Sequence, residues 1–300
     1  MGVARGGAAP AAFAVAVLAV AVFSWMDAVL KELVLALGTW TALFWRTLAA
    51  TALSGAIYAV RPRTALARGA LRIHLERGAV STAMMVAFFW GLARVPMAQA
   101  VALTFIAPLL SLFLAAVLLG ERVTRRAVAA SCIGLAGVAV ILGGQWRGDF
   151  RTEALRGSGA ILGSAVLYAY NIVLMRRQAL VAGPVEVAFS QSAAVTALLA
   201  IGAPWFVSLP EARHVPMLLV AAALGVAALL LFAWAYARSD ATRLSTSEYT
   251  AFVWAALLGF VFFGERLDAA TLAGAALIVV GCVLAARHAV APPTPPPTAA

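Results

Sequence analysis

Long apolar runs broken by short polar stretches fill nearly the whole chain. Ten of them can be drawn, at 10–32, 38–60, 76–93, 97–119, 125–144, 157–175, 184–207, 214–237, 241–263 and 268–287. Each comes close to the roughly 20 apolar residues that a helix needs to cross the ~30 Å hydrocarbon layer. The pattern therefore predicts an all-α polytopic membrane protein with ten transmembrane helices.

The runs also repeat at an offset of 144 residues. Phe88, Trp90, Ala93 and Arg94 fall on Phe232, Trp234, Ala237 and Arg238 without a gap. Gly120-Glu121-Arg122 falls on Gly264-Glu265-Arg266, and Asp27, Val29 and Leu30 fall on Asn171, Val173 and Leu174. Five spans per copy is an odd number, so the second copy enters the membrane upside down relative to the first. The expected organisation is a short N-terminus at 1–9, a first five-helix repeat at 10–150, a second, inverted one at 151–288, and a Pro-rich tail at 289–300 expected to be disordered. Inverted repeats give two near-equivalent packings of the halves around a midplane site, which is the basis of alternating access.

Composition narrows the class further. With 64% hydrophobic and 11% charged residues, the chain is far from a soluble domain, in which about a quarter of residues are charged. The net charge of +10 comes from Arg scattered singly between apolar runs, without the basic stripe that binds nucleic acid. Leaving out Arg46, which falls inside the second run, 14 Lys and Arg lie on the side of the N-terminus and 7 on the other. Both termini are therefore expected in the cytoplasm. Cys132 and Cys282 do not correspond in the repeat and read as packing residues. The first run is too long for a signal peptide and is itself copied later, so it is expected to be retained. His74, His214 and His288 fall in loops or at ends, and no Gly-x-Ser-x-Gly elbow or metal-ligand spacing occurs. No enzyme activity, cofactor or metal is expected.

Ionisable residues inside the membrane cost roughly 2.5 to 3.5 kcal/mol at the helix centre and so face a bundle interior or a cavity. Few qualify: Asp27, Arg46 and Glu248 stand away from the ends of their runs, and Glu186, near the start of its own, reads as interfacial. Two readings stand for Asp27. It is neutralised by Lys31 at i+4 and by Arg46 at similar depth, or it takes a substrate ammonium or a proton. Glu248 has the same second role open to it. In the sixth run Ser164, Tyr168 and Asn171 share one helical stripe, matched in the first by Ser24 and Asp27. Ser245, Glu248, Tyr249 and Phe252 do likewise in the ninth, matched in the fourth by Thr104, Phe105 and Pro108. Runs one, four, six and nine are expected to line a central cavity, the alternative being interhelical hydrogen bonds. Trp25, Trp40, Trp146 and Trp205 read as an interfacial belt. Trp90 and Trp234, paired by the repeat, read as pocket walls or packing anchors. The candidate substrate-binding set is Ser24, Asp27, Trp90, Thr104, Ser164, Tyr168, Asn171, Trp234, Glu248 and Tyr249, with Asp27 and Glu248 as candidates for proton coupling.

The ordered set of Trp25, Lys31, Arg46, Pro96-Met97-Ala98, Ala107-Pro108-Leu109, Gly120-Glu121-Arg122, Gly134, Gly137 and Gly264-Glu265-Arg266 resembles the drug/metabolite transporter superfamily, EamA type, and its aromatic amino-acid exporter branch. Two departures stand out: Asp240 replaces the proline of the second copy, and Phe252 stands where Pro108 would repeat, so a bend in the fourth helix is expected to lack a counterpart in the ninth. The resemblance implies a secondary transporter in the bacterial inner membrane, acting as monomer or homodimer. Its implied cargo is an amino acid or similar small metabolite, moved outward. The alternative it leaves is a nucleoside-like or vitamin-like cargo of the S-adenosylmethionine or riboflavin type.

Overall fold

The computed structural model describes residues 8–60, 70–110, 114, 125–144, 151–179, 181–236, 238, 244 and 247–288. Among them ten α-helices of eight or more residues occur and no strand. They are α1 Ala8–Leu37, α2 Thr39–Ala59, α3 Ala70–Leu92, α4 Met97–Thr104, α5 Arg125–Gly144, α6 Arg151–Ala179, α7 Pro184–Phe206, α8 Val215–Tyr236, α9 Thr250–Phe263 and α10 Ala269–His288. Ala11–Leu37, Thr152–Met175, Val185–Phe206 and Ala212–Tyr236 are long and apolar enough to cross a bilayer, and shorter apolar helices run over Met97–Leu110, Val128–Gly144, Thr250–Phe263 and Ala269–Leu284. Large apolar side chains such as Ile201, Val253 and Phe260 remain exposed, as a lipid-facing surface requires.

The packing follows the repeat. α1 lies on α8 and α3 on α6, two contacts that exchange when the halves are exchanged. The α1–α9 and α4–α6 contacts exchange likewise, as do α2–α8 and α3–α7. Three contacts map onto themselves, α2–α7, α4–α9 and α5–α10. This is the pattern that a pseudo-twofold axis produces. The helices predicted to surround the centre form a chain of contacts, α1 to α9, α9 to α4 and α4 to α6.

Glycine sets the closest of these approaches. A Cβ on Gly137 would lie 2.6 Å from the Gly274 carbonyl, and one on Gly281 would lie 2.7 Å from the Ala130 carbonyl. These contacts are repeat equivalents, and both need bare backbone so that α5 and α10 can touch.

Two helix boundaries depart from expectation. α3 begins at Ala70, so His74, read as lying in a loop or at an end, sits inside the helix. The fourth helix breaks at Phe105 and Ile106 and resumes over 107–110. Pro108 explains it, since it has no N–H to give to the Thr104 carbonyl. The missing counterpart in the second half turns out to be present: α9 is likewise interrupted at Tyr249, the repeat equivalent of Phe105, without a proline. The two breaks meet, with the Phe105 and Tyr249 rings edge to face at 5.5 Å. The Cys282 thiol donates to the Phe105 carbonyl at 3.1 Å. Gly120-Glu121-Arg122, Trp146, Asp240, Arg243, Ser245 and the tail from 289 lie outside the described residues.

Candidate functional site

Asp27 lies two thirds of the way along α1 and is buried, as is Ser24 one turn earlier. Its carboxylate feels the guanidinium of Arg46 on α2, yet the two form no ion pair within 4.0 Å. Arg46 reaches the Met85 sulfur on α3 at 3.6 Å, and its buried Nε has no hydrogen-bond partner. Across from it, a Cβ on Gly225 of α8 would fall 2.6 Å from Arg46 Nη2. Gly225 thus leaves the room that the guanidinium fills. A buried carboxylate and a half-buried guanidinium with an enclosed, unpartnered Nε thus lie within electrostatic reach without closing into an ion pair, a costly arrangement in the membrane interior.

Neutralisation of Asp27 by Lys31 is not what the structure shows. The Lys31 ammonium donates to Glu265 and, at 3.0 Å, to the Val95 carbonyl. Glu265 also accepts the Met97 N–H at 2.7 Å, supplying a partner to an otherwise free amide at the start of α4. The reason lies in the local chain. Gly264 ends α9 in the left-handed conformation at φ 64°, with Glu265 N–H bonded back to the Gly259 carbonyl. That turn aims Glu265 underneath α9, and Gly259 leaves space for its carboxylate, since a Cβ there would lie 2.4 Å from Oε2. The Gly264-Glu265 pair is therefore a latch joining α1, α4 and α9.

The equivalent region of the second half is built differently. Asn171 on α6 accepts from Arg77 Nε at 3.1 Å and from Ser81 at 3.3 Å, both on α3. Ser164 donates to the Met84 carbonyl at 3.0 Å. Ser164 and Asn171 thus bind α6 to α3. Both halves place an arginine beside position 27 or 171, from α2 in one and α3 in the other.

Near the start of α9, Glu248 accepts from the Tyr236 hydroxyl on α8 at 3.1 Å and lies within electrostatic reach of Tyr168 on α6. Tyr168 is 38% exposed, so its ring has free surface. Tyr249 packs on Phe105, and Thr104 returns its hydroxyl to the Val101 carbonyl of its own helix at 2.7 Å. Trp90 and Trp234 stand at the ends of α3 and α8, each under an arginine one turn later. Arg94 lies 3.5 Å from the Trp90 ring centre and Arg238 lies 4.1 Å from that of Trp234. The sequence repeat contained all four residues, but not the stacking between them.

The other two corrections concern residues read as peripheral. His74 and Glu186 are both buried, with His74 Nε2 and Glu186 Oε1 3.4 Å apart. Neither carried a sequence signal beyond a polar residue near a predicted helix start. Trp40, assigned to the belt, donates to the Leu199 carbonyl at 3.0 Å between α2 and α7, whereas Trp205 is 76% exposed.

Comparison with known proteins agrees with this architecture. The EamA-like transporter family matches residues 11–143 and again 155–287, two copies displaced by 144 residues. A pseudopaline exporter of Pseudomonas aeruginosa is 31% identical, covering 91% of this chain and 94% of its own. A "probable terminal-alkyne amino-acid exporter" of Streptantibioticus cattleyicolor is 29% identical over 81% and 82%. An S-adenosylmethionine uptake transporter of Rickettsia bellii is 26% identical over 69% of both. One crystal structure shares the fold at a TM-score of 0.55 and 23% identity, covering 92% of this chain and 97% of that one.

Proposed function

Since the chain belongs to the EamA-like transporter family, and is on that ground a multi-pass membrane transporter of small metabolites rather than an enzyme, we propose that it exports amino acids or similar amphipathic metabolites from the cytoplasm. The observation that carries this reading is the unclosed pair of buried Asp27 and half-buried Arg46. An acceptor for an ammonium and a donor for a carboxylate, held apart in the apolar interior, complement the two charges of an amino acid. Glu248 with Tyr236, Tyr168 and Tyr249 offers a second polar group toward the helix breaks. Asp27 and Glu248 alternate between substrate ammonium and proton, and Trp90 and Trp234 wall the path at its two ends. Two relatives whose names include exporter support the outward direction.

Flux of a labelled amino-acid panel in proteoliposomes, with and without a pH gradient, tests the proposal. Absence of flux for every amino acid would sink it. Unchanged flux in Asp27→Asn and Glu248→Gln would remove the roles given to those residues. A second reading, a nucleoside-like cargo, has the S-adenosylmethionine uptake relative in its favour, at lower identity and coverage. The same vesicles loaded with S-adenosylmethionine separate the two.

A further inference from the structure

A buried polar network joins α3, α6 and α7 where α3 and α7 begin and α6 ends. Arg77 Nη1 donates to Gln178 Oε1, the Gln178 amide nitrogen contacts His74 Nδ1, and His74 Nε2 faces Glu186 Oε1 at 3.4 Å. His74, Gln178 and Glu186 are all buried. His74 Nε2 and Glu186 Oε1 are two of the buried polar atoms left without a hydrogen bond.

The proton positions follow from what each group can do. Arginine only donates, so the oxygen of the Gln178 amide must face Arg77 and its NH2 must face His74. The ring nitrogen of His74 toward Gln178 is then an acceptor and bears no proton. The neutral imidazole carries its proton on the other nitrogen, aimed at Glu186. Full protonation of His74 would set two donors against each other unless the Gln178 amide turned over, which would break its bond to Arg77.

Resting on the reading of the chain as an alternating-access carrier, we propose that His74 and Glu186 form a binding site for a coupling proton, wired through Gln178 to the Arg77 contact between α3 and α6. A proton from the aqueous phase adds to the unprotonated ring nitrogen of His74 as the Gln178 NH2 turns away from it. The Gln178 amide rotates and accepts from it, Arg77 loses that partner and keeps Asn171, and the imidazolium stands against Glu186 as an ion pair. Protonation thereby loosens α3 from α6 on one side only, since the repeat equivalents of His74 and Gln178 are Leu218 and Val34. Of the other titratable groups at this end, Glu76 on α3 and Tyr170 on α6 are bonded to each other, and Arg72 and Arg177 are exposed.

The test uses the full chain in proteoliposomes with the best-transported amino acid of the panel. His74→Gln and Glu186→Gln should lower the accumulation ratio driven by a pH gradient several-fold more than they lower exchange at equal pH, because the coupling proton loses its site. Wild-type accumulation in both single variants would overturn the proposal. Nitrogen-15 spectra of histidine-labelled protein, with the His74 signals assigned by their loss in His74→Gln, give a readout independent of flux. One protonated ring nitrogen at neutral pH and two on acidification support the site, and a ring whose protonation state never changes refutes it even where transport itself is absent.

Discussion

Lys31 on α1 is bound to Glu265, 234 positions further along the chain, and not to Asp27 one turn back on its own helix. The pairing is enclosed, with side-chain exposures of 5% and 17%. It joins three helices at one end of the bundle, where carriers of this topology must open and close.

Removing one member of an enclosed pair leaves a buried charge, which costs about 3 to 5 kcal/mol, whereas replacing both is often neutral. Lys31→Met and Glu265→Gln should each lower the unfolding midpoint in detergent, and the double variant Lys31→Met with Glu265→Met should recover most of the loss. Purely additive losses would show that the two side chains do not act as a unit. Gly259→Ala, which intrudes on the Glu265 carboxylate, should resemble the Glu265 variant.

Arg46 is the second point of leverage. Gly225→Ala places a methyl group against the far end of a flexible side chain, so the protein should stay within about 1 kcal/mol of its native stability. The displaced guanidinium would nevertheless meet the substrate carboxylate less well. A several-fold rise in the KM of flux with little change in thermal midpoint is expected, and an unchanged KM would separate Arg46 from substrate binding.

The α5–α10 contact makes a stability prediction with no functional component. Gly137→Leu and Gly281→Leu drive side chains into backbone atoms that cannot swing aside, and overpacking of this kind costs about 1 to 3 kcal/mol or more. Loss of monodisperse protein in size-exclusion chromatography should be similar for the two, because the contacts are repeat equivalents. Leucine at Gly163, where a Cβ meets nothing within 4 Å, should be tolerated.

Arg94 and Arg238 cover Trp90 and Trp234 and also donate to the carbonyls of those residues, at 2.7 and 3.1 Å. Stacking of this type contributes about 0.5 to 1 kcal/mol where it is exposed. Arg94→Gln and Arg238→Gln should each shift the unfolding midpoint slightly, and Arg94→Gln should shift it more, because Arg94 also pairs with Glu153 at 3.1 Å. Equal shifts would mean that the Glu153 pair contributes nothing measurable.

The helical spans and the duplication were legible in the chain because both rest on local properties. Apolar length fixes a membrane helix, and an offset of 144 residues relates α5 to α10 end for end. The partners were not legible. Lys31 had an acid four residues back and took another from the far half, Asn171 found an arginine on α3, and His74 and Glu186 looked peripheral until α3 and α7 were laid together. The break at Tyr249 carries no proline at all. Sequence decides what a segment must do with its backbone and its lipid-facing surface, since those costs fall on each helix alone. Which buried charges meet depends on helix rotation and depth across the pseudo-twofold axis, and only the packed tertiary structure sets those.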